Sequence, residues 1–244
     1  MRRWNGWGDD ATVATLNADA LALLAEVAGT PMASLPPDAT LQNFLNKLPA
    51  SRLPVHPLIT TEATERFKVA LGESYPDCLR RRAGAVPPVP DGVAFPESSA
   101  QVRELLDAAQ ANNWMVIPYA GGTSVAGHLD CPLSERPVLS INLSRMNRLL
   151  HLDKLSQLAT FGAGTAGPLV EAQLRAQGYT LGHFPQSFEY STVGGWVVTR
   201  SSGQQSLRYG RIEQMFAGGR VETPIGTLHL PTFPASSEIG RAHV

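Results

Sequence analysis

The sequence predicts an α+β fold: a helical N-terminal segment over residues 1–86, then a mixed α/β domain over 87–235. Three observations carry that reading. Strand-like apolar runs alternate with capped helical patterns from residue 93 onward. Two capped helical patterns precede Pro87-Pro88-Val89-Pro90-Asp91-Gly92, a turn-rich stretch of the kind that separates domains. The 244 residues are 43% hydrophobic and only 17% charged, which permits a sizeable core without disulfides and argues against disorder.

Taken in order, Asn17 caps a helix with Leu21, Leu24, Val27 and Ala28 as its apolar positions, and Gly29 stops it. Pro31, Pro36 and Pro37 mark a linker. Thr61 caps a second helix, Glu62 to Leu71, closed by Gly72. Arg80, Arg81 and Arg82 read as a solvated basic face. After the linker, Val93 to Pro96 is a short strand. Ser98 with Gln101 makes a capping box, opening a helix with Val102, Leu105, Leu106 and Ala109 on one face. Trp114 to Ile117 is a buried strand and Pro137 to Leu143 another, followed by Met146 to His151 and by Leu158 to Phe161. Pro168 at the first helical position opens a helix that Gly178 closes. No internal repeat is present.

Composition excludes several functions. A net charge of −1 gives no field to attract nucleic acid. Cys78 and Cys131 are too few for a disulfide scaffold, have no metal-ligand spacing around them, and read as reduced thiols of a cytoplasmic protein. Arg2 and Arg3 are not followed by an apolar region, so no signal peptide is expected. No run approaches the roughly 20 apolar residues of a membrane span.

Three segments carry chemistry. Pro118-Tyr119-Ala120-Gly121-Gly122-Thr123-Ser124-Val125 follows a strand directly. Its glycines permit positive φ and close approach, and its N–H groups with the Thr123 and Ser124 hydroxyls could form an anion nest. It has no Lys, so it is not a P-loop, and a tight strand-to-loop turn is the other reading. Gly162-Ala163-Gly164-Thr165-Ala166-Gly167 matches G-x-G-x-x-G between a strand and a helix. A dinucleotide fingerprint needs an acidic residue ending the next strand, which would be Tyr179 to Phe184, and that stretch has none. Glycine turns before a packing helix are therefore expected. The third stretch, residues 182–203, is dense in Gly, Ser and Thr and has no amphipathic period. Its Trp196, Val197 and Val198 call for burial, so its backbone is expected to lie against something large and polar.

Together these segments resemble the FAD-binding domain of the vanillyl-alcohol oxidase/p-cresol methylhydroxylase superfamily. Within it, Trp4-Asn5-Gly6-Trp7-Gly8, Ser74-Tyr75-Pro76-Asp77 and Ser191-Thr192-Val193-Gly194-Gly195-Trp196 with Thr199-Arg200 resemble the alkyldihydroxyacetonephosphate synthases. The resemblance covers about residues 1–235. It implies the p-cresol methylhydroxylase-type fold of two α/β subdomains, the second incomplete here. It implies that Pro118, Tyr119, Ala120, Gly121, Gly122, Thr123 and Ser124 form the FAD pyrophosphate loop, with Ala120 where the family has a third glycine. Gln186, Ser187, Phe188, Glu189, Tyr190, Ser191 and Thr192, with Gly194 and Gly195, and Thr199, Arg200, Ser201 and Ser202, are implied as further FAD contacts. Gln186 stands where the family often has an acid. The same resemblance makes the G-x-G-x-x-G a turn of the FAD fold. His128 could in principle tether FAD, but the subfamily implies non-covalent FAD and His128 an ordinary loop residue.

The implied reaction is the exchange of an ester-linked acyl chain for an ether-linked alkyl chain on dihydroxyacetone phosphate. A FAD-linked 2-hydroxy-acid dehydrogenase is the alternative enzyme, and a binding module without activity the alternative to an enzyme. The resemblance places the substrate-binding and acid/base residues in a part of the family's domain beyond this chain, so no catalytic residue is named. A small-molecule substrate is expected, and a homodimer is compatible. Residues 236–244 are expected to be an artefactual tail, because Glu238 to Val244 can be encoded by a common sequencing-adapter sequence.

Overall fold

The computed structural model describes residues 3–9, 11–12, 16–30 and 39–231. Helix α1 (Ala18–Ala28) begins where the Asn17 side chain accepts from the Ala20 N–H at 2.8 Å, and ends at Gly29 in the left-handed conformation. The caps are those expected, yet none of its residues is buried, so its apolar face is uncovered. The linker prolines and residues 236–244 lie outside the described residues.

Helix α2 (Leu41–Leu45), strand β1 (Ile59–Thr60), α3 (Ala63–Lys68) and α4 (Tyr75–Arg82) follow. The helix expected over Glu62 to Leu71 is shortened to α3, and Thr61 does not cap it. Thr60 instead takes the Glu62 N–H on its hydroxyl at 3.3 Å. The sequence reading has no counterpart for α2, β1 or α4. The cap of α4 is reciprocal: Ser74 Oγ accepts from the Asp77 N–H at 3.2 Å, while Asp77 accepts from the Ser74 N–H, also at 3.2 Å. Trp4 enters an aromatic group with Phe44 and Phe67, at ring separations of 5.5 and 6.1 Å.

Strand β2 (Gly92–Ala94), helix α5 (Ser99–Ala111), β3 (Met115–Tyr119) and β4 (Val138–Asn142) build the main sheet. Its order is β1-β2-β4-β3, with β1 antiparallel to β2 and the others parallel. Alternation divides the sheet's residues between two cores. Ala94, Leu139 and Ile141 pack with Leu105, Ala109 and Trp114, whereas Val93 and Tyr119 pack with Val69 and Leu129. Central β4 is buried at every position, as a parallel strand covered on both faces must be. Strand β3, expected to be buried, is only partly so because it lies at the sheet edge. At the start of α5, Ser98 Oγ takes the Gln101 N–H at 3.3 Å, but Gln101 reaches back to the Glu97 N–H at 2.7 Å, one residue beyond the partner of the expected box.

The rest is smaller. Strands β5 (Leu149–Asp153) and β6 (Leu158–Phe161) form an antiparallel pair, followed by helices α6 (Gly167–Arg175), α7 (Val193–Thr199), α8 (Ser206–Tyr209) and α9 (Ile212–Met215) and the hairpin β7 (Gly219–Thr223) and β8 (Gly226–Leu230). Val170, Leu174, Trp196 and Ile212 form a third core. Tyr179 to Phe184, expected as a strand, forms none. Three of its polar groups are met by one buried carboxylate: Glu171 accepts from the Leu181 and Gly182 N–H groups at 3.1 Å each and from the Thr180 hydroxyl at 2.7 Å. The stretch expected to be irregular contains α7, which Thr192 caps. Trp196 is buried as expected, but Val198, two residues on and therefore on the far side of the helix, is 80% exposed. Among the described residues no helix is long and apolar enough to cross a membrane.

Candidate functional site

The 118–124 loop leaves the C-terminal end of β3, beside parallel β4. That end is where open α/β sheets place ligands. Tyr119 is buried, and its hydroxyl donates to the Lys68 carbonyl at 3.3 Å. Gly122 has φ +63°, and a Cβ there would overlap the Tyr119 ring, so any other residue would be doubly opposed. A Cβ at Gly121 would overlap the Tyr190 carbonyl oxygen and lie 2.9 Å from Ser191 Cα. The close approach that these glycines permit is thus to the protein's own chain. It brings two of the segments singled out in the sequence, 118–124 and 186–192, into contact.

No protein acceptor takes the Thr123 or Ser124 N–H among the described residues. Ser124 Oγ accepts from the Ala126 N–H at 3.3 Å and lies 3.2 Å from Nδ1 of exposed His128. The Ser124 carbonyl is held by the Glu73 N–H at 2.6 Å. The loop is therefore anchored through its Ser124 carbonyl, and the Thr123 and Ser124 N–H groups are not used in that anchoring.

The other expected residues fall into two groups. Ser191 Oγ accepts from Trp196 Nε1 at 2.7 Å, Thr192 caps α7, Thr199 Oγ1 donates to the Gly195 carbonyl at 2.7 Å, and Ser201 Oγ meets His183 Nε2 at 2.7 Å. These four hydroxyls serve the fold. The side chains of Thr123, Gln186, Ser187, Glu189 and Ser202 have no hydrogen-bond partner among the described residues. Phe188 packs on Phe184 at 5.0 Å. Gly194 lies against Ala163 and Gly195 within α7, and Arg200, left-handed and exposed, reaches Glu213 at 3.5 Å. Sequence reasoning missed His183. It is buried and stands edge-on to Trp196 at 5.0 Å, its Nδ1 has no partner among the described residues, and burial pushes its pKa down. No spacing marks it; only the fold brings Ser201 and Trp196 to it.

The G-x-G-x-x-G segment is closed by protein. A Cβ at Gly162 or Gly164 would overlap the carbonyls of Met146 or Leu143, and one at Gly167 would overlap Phe188. The Val193 and Gly194 N–H groups donate to the Thr165 and Ala163 carbonyls at 3.0 and 2.8 Å, and the Gly167 N–H donates to Ser191 at 3.2 Å. This is a packing turn against α7, with no face left for a pyrophosphate.

Two grooves lie elsewhere. One of about 300 Å³ is lined by Leu71, Arg80 and Cys131 among others, and one of about 550 Å³ by Ile59, Phe95 and Arg145 among others. Neither includes a residue of 118–124 or 186–202.

A model of the FAD binding domain family matches residues 90–230. The chain belongs to that family. FAD is accordingly its cofactor. The chain is similar to alkyldihydroxyacetonephosphate synthase of Trypanosoma brucei brucei, 37% identical over 199 residues, which are 81% of this chain and 32% of that protein. A solved alkyldihydroxyacetonephosphate synthase superposes with a TM-score of 0.84 at 31% identity, covering 98% of this chain and 50% of that one. The expected α+β FAD-binding fold, helical N-terminal part included, is thus that of the synthase structures. D-lactate dehydrogenase [cytochrome] 1, mitochondrial, of Saccharomyces cerevisiae is more distant, 29% identical over 56% of this chain and 23% of its own length.

Proposed function

We propose that this chain is the cofactor-holding part of a flavin-dependent enzyme of the alkyldihydroxyacetonephosphate synthase kind. The observation that carries the reading is the packing of Gly121 on Tyr190 and Ser191, which makes one site of two segments distant in sequence. In this reading Thr123 and Ser124 hold the FAD pyrophosphate through N–H and hydroxyl groups on the Gly121-Gly122 turn, and Pro118, Tyr119 and Ala120 carry the chain into it. Uncharged donors suit a pyrophosphate whose charge is shared with solvent. Gln186, Ser187, Glu189 and Ser202 supply side chains toward the cofactor. Phe188, Tyr190, Ser191, Thr192, Gly194, Gly195, Thr199, Arg200 and Ser201 shape the wall behind them. When bound, the flavin supplies reversible redox chemistry, while the protein supplies position and electrostatics.

The reaction proposed for the whole enzyme is acyl-for-alkyl exchange on dihydroxyacetone phosphate, with a small-molecule substrate and FAD held non-covalently. A homodimer and a cytoplasmic location are part of the same proposal, and this chain alone is expected to turn nothing over. The reading is supported by the span of the synthase similarity, which in the solved structure reaches 98% of this chain, whereas the dehydrogenase similarity covers only 56% of it. The test is to incubate the full-length protein with acyl-dihydroxyacetone phosphate and a fatty alcohol. Formation of the ether product, with flavin released by acid precipitation, is expected. Oxidation of D-lactate without ether formation would overturn the assignment.

A further inference from the structure

Segment 70–81 holds the proposed pyrophosphate loop at Ser124, three residues after the Gly121 contact with Tyr190. The Glu73 N–H donates to the Ser124 carbonyl at 2.6 Å, and a Cβ at Gly72 would overlap that same oxygen, so only glycine lets the two backbones meet. Nearby, the Cys131 N–H donates to the Ala70 carbonyl at 3.1 Å, and Arg80 links Asp77 and Asp130 at 3.2 and 3.5 Å. Both ends of the 124–131 turn are therefore tied to one short segment.

That segment is itself held by a buried ion pair. Arg81 Nη1 lies 3.2 Å from both Glu73 carboxylate oxygens, and Arg81 Nη2 donates to the Gly72 carbonyl. Both side chains are at most 7% exposed. The three arginines expected to form a solvated face diverge: Arg80 and Arg82 face solvent, whereas Arg81 turns inward and fixes the Gly72–Glu73 peptide. The reason is helical geometry. Arg81 stands one turn after Asp77, on the buried side of α4, and its planar fork can hold a carboxylate and a carbonyl together.

We infer that Arg81, acting through Glu73 and Gly72, is a positioning residue for the cofactor: it sets the direction of the Ser124 peptide and hence of the Thr123 and Ser124 donors that meet phosphate. The inference rests on the pyrophosphate reading above. Its signature is selectivity, because a misaligned phosphate loop weakens FAD but not a flavin lacking phosphate.

The experiment is titration of the full-length protein with FAD and with riboflavin, read by flavin fluorescence. The variants are Arg81→Lys, Arg81→Met and the double Glu73→Leu/Arg81→Met, which removes both buried charges and keeps the packing volume. Arg81→Met and the double variant are expected to weaken FAD about tenfold or more while riboflavin affinity stays within about twofold, and Arg81→Lys to recover part of the loss. A double variant that is folded by circular dichroism and binds FAD like the parent overturns the inference alone. Equal losses of FAD and riboflavin overturn it too, since they mark a purely structural role. A parent protein that binds no FAD overturns the pyrophosphate reading itself.

Discussion

Thr123 is the side chain on which the proposed cofactor contact turns, because its hydroxyl is committed to nothing else among the described residues. Thr123→Val keeps the shape and removes the donor. FAD binding should weaken by about 1 kcal/mol, roughly fivefold, with the melting temperature unchanged, as a titration and a thermal scan would read. Gly164 gives the opposite pattern. Gly164→Ala should cost roughly 1–3 kcal/mol of stability, since the Leu143 carbonyl occupies the space, and no NAD binding should exist to be lost. NAD affinity in the parent that vanishes in this variant would contradict the packing-turn assignment. His183 carries a pH dependence. Burial holds its folded pKa below the unfolded value of about 6.5. Its contribution to stability is therefore complete above about pH 6.5 and is lost as pH falls through the folded pKa. His183→Gln should flatten the thermal stability profile below about pH 6.5. Burial, with Asp91 nearby, pushes the Cys131 thiol up to about 11, which leaves little of the reactive thiolate near neutral pH.

Among the elements, β2 and β4 depend on one carboxylate at the linker. Asp91 accepts from the Val138 N–H at 2.8 Å and from the Arg52 guanidinium at 2.8 and 2.7 Å. Burial alone would raise the Asp91 carboxyl, but Arg52 and the Val138 and Arg52 N–H groups outweigh it and hold it below the ordinary range. Asp91 thus stabilises the fold above its unfolded pKa of about 3.9 and stops doing so as pH falls through the lower folded value. Asp91→Ala strands the Val138 N–H and should cost about 1–3 kcal/mol near neutral pH, with a correspondingly flatter acid limb in denaturant titrations. Elements with local signals were legible in the sequence, among them α1 between Asn17 and Gly29, α5 after Ser98, α6 around Pro168 and the strands β2 to β6. Strand β1 was not legible, being two residues whose reason to extend is β2. Nor was the loss of a strand at Tyr179–Phe184, which Glu171 decides from a separate helix. The hairpin of β7 and β8 also went unread.

For the molecule as a whole, motif and resemblance together pointed to the FAD-binding domain, and the family match over 90–230 with the synthase superposition bears that out. What the sequence could not convey was how the segments share work. The Gly-Gly pair faces Tyr119 and Tyr190, and four of the expected hydroxyls are spent on Trp196, His183 and α7. Arg81 is hidden in a run of three identical residues. These are consequences of long-range contacts that no local pattern encodes. The central claim is where the pyrophosphate sits, and a crystal structure of the full-length protein with FAD tests it most directly. The expected result is pyrophosphate oxygens within about 2.7–3.2 Å of the Thr123 and Ser124 N–H or hydroxyl groups. Pyrophosphate seated on Gly162–Gly167, or more than one hydrogen-bond length from the 121–124 turn, would contradict it.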